Sequence, residues 1–392
     1  MSSAGKLSPA TAIFIIIIIL LSSFSGNFTV GCYTSIFSFG DSLADTGNSL
    51  HLSQTIGYHV NSGTFPFGQT YFHRPTGRFS DGRLIIDFIA QHLGLELIPP
   101  YFGERNHDMF MPGINFAVGG STAMNDSFFD QKGIHEPYKN VSLIHQLSWF
   151  KQILPSYCHQ SNCREIFNNS LFLLGEIGGN DYNHAFADGR SFEEIQTFVD
   201  PVIHSISNTI IELIEIGAVT FIVPGNLPIG CISIYLNNFS NSSKDYYDPE
   251  TGCIIWLNEF SQYHNDKLQT ELTRIRDLHP HTTIIYADYY NSAMAIFRNP
   301  SNYGFKEGEL GPCCGGSNDK VSSSKNTDEK YSCDGPETKT CDDPSEYINW
   351  DGTHLTEAAY KWIFKGLLKD YSYPPMENSL CNGGLSLHHN EL

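Results

Sequence analysis

Internal repeats, low-complexity tracts and long basic stretches are all missing from this 392-residue sequence. After residue 31 it also lacks any run of the roughly 20 apolar residues that a membrane-crossing helix needs. The missing repeats argue against a solenoid or an array, and the missing apolar run against a transmembrane anchor. Charge is sparse, at 17% of residues, and what there is leans acidic, with 42 Asp and Glu against 23 Lys and Arg and a formal net charge of −19. With no basic patch to neutralise phosphates, nucleic acid is excluded as a partner. The ten cysteines show no paired CxxC spacing, so they do not read as a zinc site. The chain is nevertheless 41% hydrophobic and 13% aromatic, too apolar for disorder and ample for a large core.

What is present begins with Lys6, an apolar run from Ala12 to Leu21, and small or polar residues from Ser22 to Gly26. This is the grammar of a secretory signal peptide, predicted over residues 1–31 with cleavage between about 25 and 31. Losing Lys6 takes the net charge from −19 to −20 and leaves residues 32–392 as one catalytic domain. In an oxidising compartment the cysteines read as disulfides, with Cys158 and Cys163 close enough for a local bridge and Cys313 to Cys341 as a stapled loop; spacing does not fix the connectivity. Asn125, Asn140, Asn168, Asn238 and Asn241 each head an N-x-Ser/Thr triplet and are candidate glycosylation sites on the surface. The terminal His389-Asn390-Glu391-Leu392 differs by one residue from an endoplasmic-reticulum retention signal, so the expected destinations are the cell exterior, the vacuole or that compartment.

Short β-rich runs alternate with longer helical patterns, the signature of an α/β fold with a mainly parallel sheet. Five strands are predicted, over 35–39, 114–118, 170–174, 218–223 and 283–286. Apolar residues at helical spacing predict helices over 84–93, 143–154, 192–216, 255–278 and 356–368, covering both faces of the sheet. Ser80 and Asp81 read as caps for the first of these. Residues 311–344, rich in Gly, Ser, Asp, Lys and Cys, read as a surface insertion within the single domain.

Four places offer chemistry. Ser42 follows the first strand inside a turn rich in Gly, Asp, Thr and Asn, where ligands collect in parallel α/β sheets. It reads as a nucleophile or as part of a helix cap. Asp351-Gly352-Thr353-His354 places a carboxylate three residues before an imidazole across a Gly-containing turn, as a general base needs, or merely caps the following helix. Asn180, in Gly178-Gly179-Asn180-Asp181, offers an uncharged N–H donor, and Gly119-Gly120 can aim a backbone N–H at the same point. Aromatic residues at 63–72 and 99–102 either line a substrate pocket or pack.

Taken in order, Ser42, Gly120, Asn180 and His354 resemble the four blocks of the SGNH, or GDSL, hydrolases. The stretches Phe37–Asn48, Pro75–Arg83 and Trp350–His354 are similar to the plant branch, and Arg83–Ala90 with Ile285–Tyr290 resemble its acetylajmalan and sinapine esterase subgroup. The resemblance implies a three-layer α/β/α, flavodoxin-like sandwich around a mainly parallel five-stranded sheet. It further implies a carboxylic ester hydrolase with Ser42 as nucleophile, His354 as base and Asp351 behind it. The oxyanion donors would be Ser42, Gly120 and Asn180, Gly120 being preferred over Gly119. No metal and no cofactor are implied. The implied substrate is a small ester, of acetyl or hydroxycinnamoyl type, from plant specialised metabolism. An acyltransferase using the same acyl-enzyme, or a lipid esterase, is the alternative. No Gly-x-Ser-x-Gly elbow surrounds Ser42, which sets this chain apart from α/β-hydrolases.

Overall fold

The computed structural model describes residues 33–57, 59–103, 112–158, 163–240, 242–315, 333 and 338–380. The signal segment, the sequon at Asn241 and the C-terminal tetrapeptide lie outside these. The described residues belong to one compact unit that starts at Cys32.

One sheet organises them. Its strands are β1 (Ser35–Phe39), β2 (Gly113–Asn115), β3 (Ser170–Leu174), β4 (Thr220–Pro224), β5 (Thr283–Ala287) and β6 (Ser372–Tyr373), in the order β2-β1-β3-β4-β5-β6. The first five run parallel and β6 pairs antiparallel with β5. The expected five strands therefore become six, because a two-residue edge strand is too short to show any periodicity. β2 also stops at Asn115, short of the predicted 118. There the Asn115 side-chain carbonyl accepts the Ala117 N–H at 2.9 Å, and the chain turns toward the site.

Side-chain alternation sends Ile36, Leu171, Leu173, Ile222 and Ile285 to one face of the sheet. Phe37, Phe39, Phe172, Leu174, Phe221 and Val223 go to the other. Helices Ile85–His92, Tyr289–Arg298 and Glu357–Lys369 pack on the first face, and Leu143–Tyr157, Val199–Ile216 and most of Ile255–Leu278 on the second. Burial on both faces is why the strands read as continuous apolar runs. The fold is a three-layer α/β/α sandwich.

Two expectations about helices change. The predicted helix over 192–216 is two helices, Phe192–Gln196 and Val199–Ile216, the first capped by the Ser191 hydroxyl accepting from the Glu194 N–H. Asp81 does not cap the nearby helix either. The Ile85–His92 helix begins with Asp87 reaching back to accept the Leu84 N–H at 2.9 Å, while Asp81 accepts the Glu357 N–H at 2.7 Å and so caps the helix that follows His354.

The described residues hold four disulfides: Cys158–Cys163, Cys231–Cys253, Cys313–Cys341 and Cys314–Cys333. Within the predicted surface insertion, Cys313, Cys314 and Cys333 are instead buried against Phe67 and Trp350. β1 lies between β2 and β3, so the strand order reverses there. A crevice opens outside the carboxyl ends of strands at such a reversal. Ser42, Gly120 and Asn180 follow β1, β2 and β3 respectively.

Candidate active site

The turn after β1 is built around Asp45. Its buried carboxylate accepts from the backbone N–H of Gly47, Asn48 and Ser49 and, across the crevice, from the N–H of Gly119 at 2.9 Å. Burial raises the Asp45 carboxyl, and these hydrogen bonds oppose the rise. Asn48 donates to the carbonyls of Asn115 and Ala117, both at 2.8 Å. Gln146, from the Leu143–Tyr157 helix, accepts the Gly40 N–H and donates to the Gly40 carbonyl, again at 2.8 Å, while also donating to the Ser121 hydroxyl. The segments carrying Ser42 and Gly120 are thus held as one unit.

His354 approaches from the opposite end of the chain. Its Nε2 lies 2.8 Å from Ser42 Oγ, and its Nδ1 lies 2.8 Å and 3.0 Å from the two Asp351 oxygens. Asp351 also accepts the backbone N–H of Thr353 and of His354, each at 2.7 Å, which locks the turn. Burial pushes the Asp351 carboxyl up, but the interaction with His354 and these hydrogen bonds outweigh it and hold the group below the ordinary value. With Nδ1–H facing Asp351, Nε2 is free to accept the Ser42 hydroxyl proton. The Phe79 ring lies against the imidazole, centroids 4.9 Å apart.

Gly119 and Gly120 divide the work. The Gly119 N–H donates to Asp45 and to Ser49 Oγ, so it is committed to the turn. Gly120 sits at φ +80°, and a Cβ there would lie 2.4 Å from the Tyr138 ring, so no larger residue fits. Asn180 is in the first turn of the Gly179–Ala187 helix. Its Nδ2 donates to Asp41 Oδ2 and to the Ser121 carbonyl, both at 3.0 Å, placing the amide beside the neighbours of Ser42 and Gly120.

Sequence reasoning missed the buried acids around this site. Asp41 accepts the Leu43 N–H through Oδ1, and Asp181 accepts the N–H of Ala123 and Met124. Burial raises Asp41 and Glu176, the former further because Glu176 faces it. Burial likewise pushes Asp181 up to about 8 and Glu136 up to about 7. A group whose folded pKa lies above its unfolded one binds more protons in the folded state, so stability falls as pH rises between the two values. Below about 6.5 the buried, neutral His184 and His264, whose pKa values burial lowers, oppose that trend. The melting temperature is therefore expected to be roughly 2–5 °C higher near pH 6.5 than near pH 8.5, by differential scanning fluorimetry. A melting temperature that rises across that window would contradict the protonated state of Asp181 and Glu136.

A cavity of about 250 Å³ opens beside His354. Val60, Phe67, Phe79, Tyr138 and Ile234 give it an apolar wall, and His59, Asn61 and Thr353 a polar one, with Cys333, Asp351 and Gly352 also lining it. Of the aromatic stretches, Phe67 lines this cavity, while Tyr101 and Phe102 pack on Trp149. The lining comes from segments far apart in the chain, so no local motif could have announced it.

Residues 36–367 match the family model for GDSL-like lipases and acylhydrolases. The chain belongs to this family. A GDSL esterase/lipase of Arabidopsis thaliana is 49% identical over 364 residues, 92% of this chain and 91% of its own length. Another from the same plant is 50% identical over 349 residues, 88% of this chain and 87% of that one. Sinapine esterase of Brassica napus is 48% identical over 351 residues, 89% of this chain and 88% of its own. As a member of the GDSL family the chain is a carboxylic ester hydrolase. Among the described residues no helix is long and apolar enough to cross a membrane. Asn125, Asn140, Asn168 and Asn238 are exposed.

Proposed function

We propose that the chain is a secreted serine esterase that hydrolyses small acyl esters through Ser42, His354 and Asp351. The observation that carries this reading is the unbroken hydrogen-bond line from Ser42 Oγ through His354 to Asp351. His354 Nε2 takes the hydroxyl proton as Ser42 Oγ attacks the ester carbonyl carbon. The tetrahedral oxyanion is held by the N–H groups of Ser42 and Gly120 and by the Asn180 amide. The C–O bond to the alcohol breaks as His354 returns the proton to the leaving oxygen. Water, deprotonated by His354, then releases the acyl group and restores Ser42. Secretion is supported by the signal-like residues 1–31, the exposed sequons and the four disulfides, which persist in oxidising compartments.

The cavity bears on substrate class. At about 250 Å³ it is a little smaller than most ligand pockets, and Phe67, Phe79 and Tyr138 contribute aromatic rings to its wall. It suits an acetyl or a single aromatic acyl group, which agrees with the similarity to a sinapine esterase. In a panel of esters assayed with purified protein, kcat/KM for acetyl or hydroxycinnamoyl esters is expected to exceed that for palmitoyl esters by at least about 10-fold. A preference for the long chain would overturn this substrate class.

A further inference from the structure

Asp41 stands next to Ser42, yet the relay does not use it. The residue is buried, 3% exposed, and one of its carboxyl oxygens meets the Asn180 amide. Oδ1 accepts the Leu43 N–H at 2.9 Å, Oδ2 accepts from Asn180 Nδ2 at 3.0 Å, and its own N–H donates to the Glu176 carbonyl at 3.1 Å. The Glu176 side chain hydrogen-bonds the Asp41 carboxyl and accepts the Gly179 N–H at 3.2 Å, one residue before Asn180. Asp181, Tyr289 and Tyr360 also face Asp41.

We propose that Asp41, backed by the carboxyl of Glu176, is a positioning residue that aims the Asn180 carboxamide at the reacting carbonyl. The inference rests on Asn180 being an oxyanion donor. Asn180 Nδ2 has two hydrogens, and without substrate both are taken, one by Asp41 and one by the Ser121 carbonyl. A charged oxyanion accepts more strongly than a neutral carbonyl, so it takes the hydrogen now given to Ser121. The hydrogen held by Asp41 then fixes the plane of the amide, and with it the direction of the other N–H. Asn183 donating to Asn180 Oδ1 at 3.3 Å holds the far side. Asp41 must be neutral to do this without repelling the oxyanion. Burial, and the Glu176 charge opposite, push its pKa well above the ordinary carboxylate value.

Asparagine at position 41 keeps the size but has one acceptor oxygen for two donors, the Leu43 N–H and the Asn180 amide. Asp41→Asn is therefore expected to lower kcat by about 10- to 100-fold with KM changed less than about 3-fold, the pattern of a donor lost only in the transition state. The double variant Asp41→Asn/Asn180→Ala should be within about 3-fold of Asn180→Ala alone, because both changes remove the same interaction. Asp41→Asn at the wild-type kcat, or effects that multiply, would overturn the proposal while leaving Asn180 its role. Asn180→Ala at the wild-type kcat would remove that role, and the proposal with it. If Asp41→Asn does not fold, Glu176 decides. Glu176→Gln can still hydrogen-bond Asp41 and should stay within about 3-fold of wild type, whereas Glu176→Leu should lose at least about 10-fold in kcat; equal rates for the two would overturn the proposal.

Discussion

Replacing Ser42 with alanine is expected to lower kcat for a small chromogenic ester by about 10⁴- to 10⁶-fold while leaving the fold intact. The loss is large because Ser42 Oγ is the hydrogen-bond partner of His354 Nε2 at 2.8 Å, and alanine has no oxygen to attack the ester. The fold should survive because the turn is held elsewhere, by Asp45, Asn48, Asn115 and Gln146, none of which bonds the Ser42 side chain. Removing one hydroxyl from a residue 9% exposed leaves no buried partner without water access except the imidazole itself. Steady-state assays with near-UV circular dichroism check both halves. A variant that retains more than about a tenth of wild-type kcat would contradict the assignment.

Asp351→Asn should cost about 10³- to 10⁴-fold in kcat at neutral pH. The carboxylate accepts from His354 Nδ1 and from two backbone N–H groups, so its replacement changes the tautomer rather than the turn. A carboxamide that turns its NH2 toward Nδ1 makes Nδ1 an acceptor and moves the ring proton to Nε2, where it faces Ser42 and blocks proton removal. Thr353 Oγ1, 3.0 Å from Nδ1, offers a partial substitute and sets the upper limit of the recovery. A loss below about 10-fold would mean that Asp351 shapes the turn and does not set the tautomer.

Much of the candidate site was legible in the sequence because Ser42, Gly120 and Asn180 lie in short segments that follow strands. The strand reversal brings those three segments together, and Asp351 and His354 stand in a compact motif of their own before a helix. The preference for Gly120 over Gly119 came from the family resemblance, and its physical support was not legible. It turns on the Gly119 N–H being taken by Asp45, a contact across 74 positions. Asp81 shows the same limit. Local pattern assigns it to the helix a few residues on, whereas it caps one 276 positions away. Gln146 carried a signal that went unused, being a polar residue on the buried face formed by Leu143, Leu147 and Phe150. Asp41 and Glu176 were visible as residues, but their pairing depends on β1 and β3 lying side by side, which periodicity does not report.

The insertion teaches a related lesson. Its composition reads as surface loop, and its length allows that, but two disulfides draw Cys313, Cys314 and Cys333 inward against Trp350, two residues from Gly352 of the His354 turn. Composition is an average over a segment. It misses the few residues that anchor it.

The most direct measurement is covalent labelling with a fluorophosphonate, followed by peptide mass mapping of the native protein and of Ser42→Ala. One adduct per chain on the peptide carrying Ser42, absent from the variant, is the expected result. An adduct on a different serine, or none on a protein that still hydrolyses esters, would contradict Ser42 as the nucleophile.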